Sequence, residues 1–479
     1  MRSESTLVWS ELKTGLAAAL TAAGIDAGDR LERIELAIPR ERSHGDWTTN
    51  IAMILAKAAK QLPRAVAEAI AKHFPLEGSP FRAVEVAGPG FLNFHYREEF
   101  LAASMTLDMA NTDKLAGFAA EARKSGISIL PPCVNASGVE FGANPGSPGK
   151  PGAIIYALAA LKNIGASAVE TIVADRAAKG PFKDLSDFAR RFNPKAINKR
   201  ALETLAAAGS FDTLEPNRAL VHGNIENFVA LANRLADSAT TGIDDLFGGG
   251  GKSEPQMDIR PARMWTPMER LEKEFDAVGF YLSGHPLDEY ESALNALGVK
   301  RYAEFDAGLT ASGSARIAAI VVSARERRSA KGNKFAFGMF SDTSGQFEAI
   351  IFSDTLAASR DLLEAGTAVL LSVAAERVDA ETLKLRVEGI DSLDRVVGNV
   401  DTQLRVMLDP TTLSAQRISA AMTELRSHLK PGRGEIRLIV PIPAENREVE
   451  LALAGRYDVS PAQRGLFKTV PGVLAVAEA

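Results

Sequence analysis

Cysteine is nearly absent from this sequence, because Cys133 is the only one in 479 residues. A single thiol excludes a disulfide framework within the chain and a cysteine-rich zinc site. No apolar run reaches the roughly 18 to 20 residues that a membrane helix requires. The first twenty residues lack the basic start, apolar core and small-residue cleavage site of a signal peptide. We therefore expect a cytoplasmic protein of a reducing compartment, with no membrane segment.

Patterns typical of catalytic centres are also scarce. The six histidines never pair at the spacing of metal ligands. Asp244 and Asp245 are adjacent but lie in a polar, glycine-rich segment, whereas two-metal nucleotidyl transfer needs carboxylates on a rigid sheet. The Gly-Lys-Ser at 251–253 resembles the end of a P-loop, but Leu246 stands where the first glycine belongs. The residues alone therefore predict no catalytic centre and require no metal or other cofactor.

Net charge is small for a chain of this length. The 55 Lys and Arg against 60 Asp and Glu give −5 at pH 7, which argues against a surface that binds polyanions as a whole. Any contact with nucleic acid must therefore come from local basic patches. Apolar residues at 46% and charged residues at 24% predict globular cores, and the length predicts roughly three domains.

Hydrophobic periodicity and turn residues predict a multidomain α+β protein. Residues 1–97 are expected to form a small α/β domain, with helices over 7–23, 48–60 and 63–73 and strands over 31–38, 83–87 and 91–96. The next segment, 98–152, is expected to contain two helices, a short strand over 127–130 and a Gly/Pro-rich loop over 142–152. Short helices over 153–236, a polar linker over 237–265, a helical connector over 266–312 and strands over 313–395 follow. The last segment, 396–479, is expected to be an α/β domain with strands over 402–408, 435–441 and 447–453 and helices over 412–428 and 461–469.

A first nucleic-acid motif occurs near residue 160. The sequence YALAALKNIGASAVE predicts a helix that ends at Lys162, a turn, and a second helix that starts near residue 167. In this helix-hairpin-helix pattern a buried aliphatic lies between two positions of positive φ, here 163 and 165. Its backbone N–H groups and helix N-terminus can bind a DNA phosphate without reading sequence, and a purely structural αα-hairpin is the alternative. The predicted contacts are Lys162, Asn163, Ile164, Gly165 and Ala166.

Basic residues cluster directly after this motif. Six of them outnumber two aspartates between residues 182 and 200, and a helix over 197–208 that ends at Gly209 is expected to form a second hairpin with the helix before it. Lys195, Lys199 and Arg200 are predicted to bind phosphate. Charge alone equally allows a solvated surface.

The strand-rich segment carries a second nucleic-acid signal. Strands over 315–323, 335–342 and 346–352, a helix over 355–363 and strands over 367–377 and 382–390 follow the order of an OB-fold barrel. Cations and aromatics between the first two strands suit single-stranded nucleic acid, although the phenylalanines could instead fill the barrel. The predicted contacts are Arg325, Arg327, Arg328, Lys331, Lys334, Phe335 and Phe337.

The polar linker contains one apolar pair, Leu246 and Phe247. Such a pair on a polar segment typically docks in a pocket of a partner protein. The alternative is that the pair packs on its own domain.

Six stretches together identify a family resemblance. FLAASMTLDMANTDKL, GISILPPCVNASGVEF, YALAALKNIG, INKRALETLAAAGSFD, EFDAVGFYLSGHPLDEY and FSDTSGQFEAIIFSD resemble the C-terminal part of the bacterial DNA polymerase III alpha subunit over about residues 98–479. The resemblance implies a remnant of the fingers region, tandem helix-hairpin-helix motifs on duplex DNA, an OB-fold on the single-stranded template and a C-terminal domain that meets the clamp-loader tau subunit. It also implies a sliding-clamp contact at Leu246 and Phe247, weakened because Ile243 replaces the usual glutamine.

Residues 1–97 resemble a different family. SHGDWTTNIAMILAK and VEVAGPGFLNF are similar to the N-terminal additional domain of arginyl-tRNA synthetase, which contacts the tRNA elbow. The synthetase's HxGH and KMSKS signatures do not follow, and the polymerase family's catalytic palm would precede residue 98. We therefore expect a DNA-binding and replisome-docking region that does not itself catalyse. A DNA-directed DNA polymerase and a tRNA-binding protein acting through residues 1–97 are the alternatives.

Overall fold

The computed structural model describes residues 2–34, 36–37, 39, 45–146, 152–241, 257–328, 332–378, 383–397, 403–409, 415–442 and 447–478. The chain divides into two compact units, Met1–Ala160 with Ile164–Ala174, and Leu161–Asn163 with Asp175–Ala479. Among the described residues, no helix combines the length and apolarity needed to cross a membrane.

A four-stranded sheet with helices against it opens the first unit. Its elements are α1 (Arg2–Ala22), β1 (Leu36–Ala37), β2 (Trp47–Thr49), α2 (Ile51–Ala59), α3 (Pro63–His73), β3 (Phe81–Ala87) and β4 (Phe91–Tyr96), with strand order β1-β2-β4-β3. Two expectations were wrong in part. Of the expected strand 31–38, residues 31–33 are 3₁₀ and only Leu36–Ala37 is a strand, and residues 47–49 pair with β4 instead of starting a helix. Long-range pairing decides both cases, which local periodicity does not detect.

The second part of the first unit carries a small sheet of its own. Its elements are α4 (Glu98–Leu107), α5 (Thr112–Lys124), β5 (Ser128–Leu130), β6 (Gly142–Asn144), β7 (Ala153–Ile155) and α6 (Ala166–Lys179), with strand order β5-β7-β6. The start of the expected loop 142–152 is therefore a strand, and so is the start of the expected helical stretch 153–236. Strands of three residues are too short to show an alternating pattern.

One residue joins the two parts of the first unit. Arg97 lies between β4 and α4, and its guanidinium donates to the carbonyl oxygens of Phe81 at 3.0 Å and Leu76 at 2.9 Å. The buried Asp46 carboxylate accepts from the backbone N–H of Tyr96 at 2.6 Å and from the Ser125 hydroxyl at 2.5 Å. The hydrogen bond between Asp46 and Ser125 therefore connects the two parts across the join.

Helices form the start of the second unit. They are α7 (Leu185–Arg191), α8 (Lys199–Ala207), α9 (Arg218–Gly223), α10 (Ile225–Thr241), α11 (Pro267–Val278), α12 (Glu291–Ala296) and α13 (Tyr302–Gly308). Phe188, Phe211 and Phe228 are fully buried together, with ring centroids 4.9 to 6.3 Å apart. Arg218 is buried as well and donates to Asp212 at 2.8 Å and to Glu274 at 3.1 Å. This ion-pair network ties α9 to α11.

A closed five-stranded barrel follows the helices. Its elements are β8 (Ser312–Arg328), β9 (Lys334–Asp342), β10 (Gly345–Ile351), α14 (Ser353–Ala358), β11 (Ala368–Arg377) and β12 (Leu383–Ser392), with strand order β10-β12-β11-β8-β9. The seam between β10 and β12 is parallel, and two residue pairs form it, Ile350 with Arg386 and Ile351 with Val387. This topology, with a helix after the third strand, is that of an OB-fold, as predicted.

A short helix, α15 (Leu393–Val397), packs against the outside of the barrel, and a second α/β layer ends the chain. The elements of this layer are β13 (Gln403–Leu408), α16 (Ala415–His428), β14 (Pro431–Ile442), β15 (Arg447–Ala452), α17 (Pro461–Lys468) and β16 (Val473–Glu478), with strand order β15-β14-β13-β16. Sequence reasoning located β13, β14, β15 and both long helices but missed β16. The predicted fold class, multidomain α+β with a helical region and an OB-fold barrel, is confirmed.

Candidate nucleic-acid interface

Strand register places two arginines and two phenylalanines on one face of the β8–β9 hairpin. Arg325 pairs directly with Phe337, and Arg327 pairs with Phe335. Directly paired residues point to the same side of a sheet, and residues two apart share a face. The four side chains therefore form one patch of alternating charge and aromatic surface, which we call the outer patch.

The outer patch faces away from the barrel interior. Phe335 and Phe337 alternate along β9 with Ala336 and Gly338, which are buried, and Ala336 belongs to the barrel core. The two phenylalanine rings are half-buried and touch edge to face, with centroids 5.5 Å apart. The interpretation in which these rings fill the barrel is therefore wrong. An aromatic surface is open to solvent at the barrel's exterior.

The predicted cations of the hairpin fall into two sets. Arg325 and Arg327 are exposed, and neither has an ion-pair partner in the part of the chain that the structure describes. Arg328 and Lys334 are opposite each other in the strand register, and their side chains lie on the other face of the hairpin. Lys331 lies outside the described residues. The register thus singles out Arg325 and Arg327 as the cations beside the two rings.

Sequence reasoning missed two residues near this patch. Phe352 directly follows β10 and is 50% exposed, the largest exposure of any phenylalanine given for the described residues. Arg386 is exposed on β12, opposite Ile350 of β10. Strand parity was the available signal, because 350 and 352 alternate with Ile351, whose side chain fills the barrel.

In the helix-hairpin-helix turn near residue 160, the aliphatic residue is buried as predicted, but only one of the two predicted positive φ angles is present. Ile164 is 9% exposed, between exposed neighbours. Asn163 has φ of 64°, as predicted, whereas Gly165 lies outside the left-handed region, so the second positive φ was wrong. The first helix is a 3₁₀ turn over Leu158–Ala160, and α6 begins at Ala166. Gly165, Ala166 and Ser167 are exposed at that helix start.

Lys162 is held by contacts within the second unit. Its backbone N–H donates to the carbonyl oxygen of Ala277 at 3.0 Å, and its ammonium lies 5.8 Å from the ring centroid of Phe275. Partial burial lowers the pKa of Lys162, and the carboxylate of Asp276 opposes that shift. The side chain still reaches solvent, so it remains available to a phosphate.

The basic stretch after the hairpin contains both structural and exposed cations. Arg191 lies over the ring of Phe182 and donates to Asp175 at 2.7 Å and to Asp187 at 2.9 Å, so it stabilises the fold. Lys195, Lys199 and Arg200 are exposed, the last two in the first turn of α8. Lys199 pairs with Glu226 at 2.7 Å, and that contact raises the pKa of Lys199.

Two further predictions concern the clamp-binding residues and metal binding. Leu246 and Phe247 lie outside the described residues, and so does Ile243. Within the described ranges, no cluster of three or more His, Cys, Asp or Glu side chains is arranged to hold a metal ion.

Comparison with known protein families identifies matches for two segments of the chain. Residues 126–221 match the family described as Helix-hairpin-helix motif, and residues 10–96 match the Arginyl tRNA synthetase N terminal domain. In solved structures, the mitochondrial single-stranded DNA binding protein Rim1 of S. cerevisiae matches 17% of this chain and 95% of its own, with 18% identity and a TM-score of 0.16.

Several curated relatives are one bacterial protein, DNA polymerase III subunit alpha. The protein of Caulobacter vibrioides is 38% identical over 377 residues, 78% of this chain and 32% of the relative. That of Pseudomonas aeruginosa is 34% identical over 348 residues, 68% of this chain and 29% of the relative. That of Escherichia coli K12 is 29% identical over 384 residues, 78% of this chain and 32% of the relative. The chain thus spans about a third of the length of these curated relatives. It joins a segment similar to the arginyl-tRNA synthetase N-terminal domain to a region similar to that third of the DNA polymerase III alpha subunit.

Proposed function

We propose that this chain binds DNA as part of a replicative polymerase of the DNA polymerase III alpha type, without synthesising DNA itself. The outer patch carries the proposal. Arg325 and Arg327 supply charge for phosphates beside the rings of Phe335 and Phe337, which can stack on bases. Proteins that hold single strands without sequence preference combine these two elements. The barrel is thus assigned the single-stranded template.

Duplex DNA is assigned to the helix-hairpin-helix region. The exposed start of α6 presents backbone N–H groups, and Lys162 lies beside it in sequence. Lys195 and Arg200 flank the start of α8, where Asn198 caps the helix by accepting from the N–H of Ala201 at 2.9 Å. Helix N-termini and cations favour phosphate oxygens regardless of base sequence. Duplex affinity should therefore be similar across sequences and fall steeply with salt.

Single-strand binding is tested by fluorescence anisotropy with a labelled oligo(dT). Replacing both Phe335 and Phe337 with alanine should weaken binding, because each lost base stack costs about 1 to 3 kcal/mol, or about five- to 150-fold in Kd. Phe91→Ala is the matched control, since Phe91 is also a partly exposed phenylalanine on a strand, at 37%, but lies in the first unit. Unchanged binding by the double variant would refute the assignment.

The absence of synthesis is a separate proposal with its own test. It is supported by the match of residues 10–96 to a synthetase domain, where the polymerase resemblance would place catalytic regions. Primer extension with Mg²⁺ and all four deoxynucleotides should give no longer product. Any template-dependent incorporation by the purified chain would overturn this part of the proposal.

A second candidate function is tRNA binding through the first unit. The match of residues 10–96 to the Arginyl tRNA synthetase N terminal domain favours it. Anisotropy with labelled tRNA and labelled primer–template, titrated across salt in parallel, separates the two functions: tighter binding of DNA supports the polymerase-like role, and a preference for tRNA moves function to the first unit. We also propose two protein contacts. Leu246 and Phe247 would dock to a sliding clamp, and residues 396–479 would dock to a tau subunit.

A further inference from the structure

The outside of the barrel is covered on one side and open on the other. Over β8 and β11, the outward residues Ala318, Ile320 and Leu370 pack against Leu287 and Tyr290 of the helical connector. Over β9, β10 and β12 the outward positions are half-buried or exposed, except Ser341 at the far end of β9, which is buried. The open side begins at the outer patch and crosses the seam of the barrel.

Register aligns the open side into two rows that run across the strands. The first row contains Arg325, Phe337, Ile350 and Arg386, because each pairs directly with the next across β8, β9, β10 and β12. The second contains Arg327 and Phe335, which pair across β8 and β9. Each row therefore starts with an arginine and continues to a phenylalanine.

Phe352 extends the second row. The β9–β10 ladder ends with Ile351 opposite Ala336, and Phe352 stays extended, with φ of −82° and ψ of 168°. The next position along an extended antiparallel pair lies opposite Phe335, on the outward side. Phe352, which is 50% exposed, is thus the second phenylalanine of this row.

Arg386 terminates the first row. Its guanidinium pairs with Glu388 at 2.8 Å, and both side chains are about half exposed. An exposed pair of this kind contributes little to stability, so a phosphate can compete with the carboxylate. With Arg325 at the other end of the row, cations bracket the aromatic and aliphatic side chains between them.

From these rows we propose that a single strand crosses the barrel perpendicular to the β-strands, with Phe352 as a base-stacking residue and Arg386 as a phosphate contact. The inference rests on the proposed single-strand function and adds two contacts and a direction to it. Three strand spacings span about 14 Å, so the site is short, near the lower end of the about 4 to 16 nucleotides that an OB-fold covers.

Phe352 is tested with the full chain and a fluorescein-labelled oligo(dT) of about 16 nucleotides. Phe352→Ala should raise Kd at least about fivefold, while the control Phe91→Ala leaves Kd unchanged. Because Phe352 is half exposed, unfolding curves of the variant should match those of the wild type. In a second measurement, Phe352→Trp should add tryptophan fluorescence that oligo(dT) quenches, and Phe91→Trp should add fluorescence that it does not.

Arg386 is tested by substituting each member of its ion pair, because the two substitutions should change the affinity for oligo(dT) in opposite directions. Arg386→Gln should weaken binding and reduce the slope of log K against log salt by about 0.7, the value of one lost phosphate contact on a single strand. Glu388→Gln should tighten binding, because it removes the competing carboxylate. The control pair is Arg437 with Glu450, a 2.6 Å exposed ion pair on β14 and β15, where neither glutamine variant should change Kd.

The outcomes distinguish this inference from the proposed function. If Phe335→Ala with Phe337→Ala abolishes binding while Phe352→Ala and Arg386→Gln bind like the wild type, the transverse path is wrong and the single-strand function stands. If the wild-type chain does not bind oligo(dT), both fail. Weaker binding by both variants, with tighter binding by Glu388→Gln, supports the path.

Discussion

At the scale of single residues, two glycines of the helical region differ in what a side chain would meet. Gly209 has φ of 84°, and a Cβ built there would lie 2.2 Å from Nη2 of the buried Arg218. Gly165 lacks a positive φ, and the nearest heavy atom to its Cβ would be the Ser167 hydroxyl at 3.9 Å. Gly209 is thus required by the fold, whereas nothing in the fold requires glycine at 165.

Alanine substitutions should therefore separate stability from binding. Gly209→Ala should lower the free energy of unfolding by at least about 1 to 3 kcal/mol, the cost of a left-handed non-glycine residue. Gly165→Ala should change stability by less than about 0.5 kcal/mol yet weaken duplex binding, because the added methyl stands where a phosphate approaches the start of α6. Urea unfolding and anisotropy measure the two effects. Normal duplex affinity in Gly165→Ala would contradict the hairpin assignment.

The ion pairs of Arg191 predict a pH dependence of stability. Burial alone would raise the pKa of Asp175, but hydrogen bonds from Lys179 and Arg191 lower it. Burial would likewise raise the pKa of Asp187, while the Lys183 N–H and Arg191 lower it. A carboxyl whose folded pKa lies below the unfolded value of about 3.9 stabilises the fold above that pH, and this contribution is lost as pH falls through the folded pKa.

Arg191→Gln should accordingly lower the free energy of unfolding at pH 7 by about 1 to 3 kcal/mol. The difference from the wild type should shrink as pH falls below about 4, because both carboxyls then become protonated in either protein. Urea unfolding at a series of pH values measures it. A difference that stays constant down to about pH 2 would show that lost packing on Phe182, rather than the ion pairs, accounts for the effect.

At the scale of elements, the β8–β9 hairpin offers an internal control for electrostatic binding. Arg325→Gln with Arg327→Gln removes the cations of the outer patch and should reduce the salt slope for oligo(dT) by about 1.4, or about 0.7 per phosphate contact. Arg328→Gln removes a charge of the same hairpin from the opposite face and should leave the slope nearly unchanged. If each arginine substitution reduced the salt slope by the same amount, net charge alone would govern binding.

The same hairpin shows what sequence patterns can and cannot predict. Sequence patterns predicted both strands, over 315–323 and 335–342, and the order of elements predicted the OB-fold. The sequence did not predict whether Phe335 and Phe337 point into or out of the barrel, since residues two apart share a face whichever face is buried. Arg386 was missed because its relation to the patch depends on the pairing of β10 with β12, which lie far apart in sequence. Phe352 was missed because it lies just beyond the end of β10.

At the scale of the molecule, the first unit combines two segments with different relatives. The match to the synthetase domain ends at residue 96, and α4 begins at Glu98. Asp46, from the first segment, accepts a hydrogen bond from Ser125 of the second, and Arg82 donates to the carbonyl oxygen of Ser125 at 3.3 Å. The abrupt change in the sequence therefore does not coincide with a flexible joint.

Asp46→Asn should loosen both segments together. An amide keeps its oxygen for the N–H of Tyr96, but its NH₂ must donate to the Ser125 hydroxyl, so the charge-assisted bond across the join becomes a weaker neutral one. Hydrogen exchange followed by mass spectrometry should show faster exchange both in residues 45–96 and in 98–130. Exchange in the barrel, in the second unit, serves as the control. Faster exchange in residues 45–96 alone would indicate that the segments fold independently.

The barrel seam has a consequence for how binding and folding are linked. Two residue pairs close the barrel between β10 and β12, so the seam is the shortest pairing in its circumference and the first place where local opening would expose backbone amides. A ligand that contacts both sides of the seam stabilises the closed barrel, because it binds the closed barrel and not the open one. By mass action such a ligand stabilises the barrel by an amount that grows with its concentration, and a chain with its template bound would resist unfolding and proteolysis where the empty chain opens.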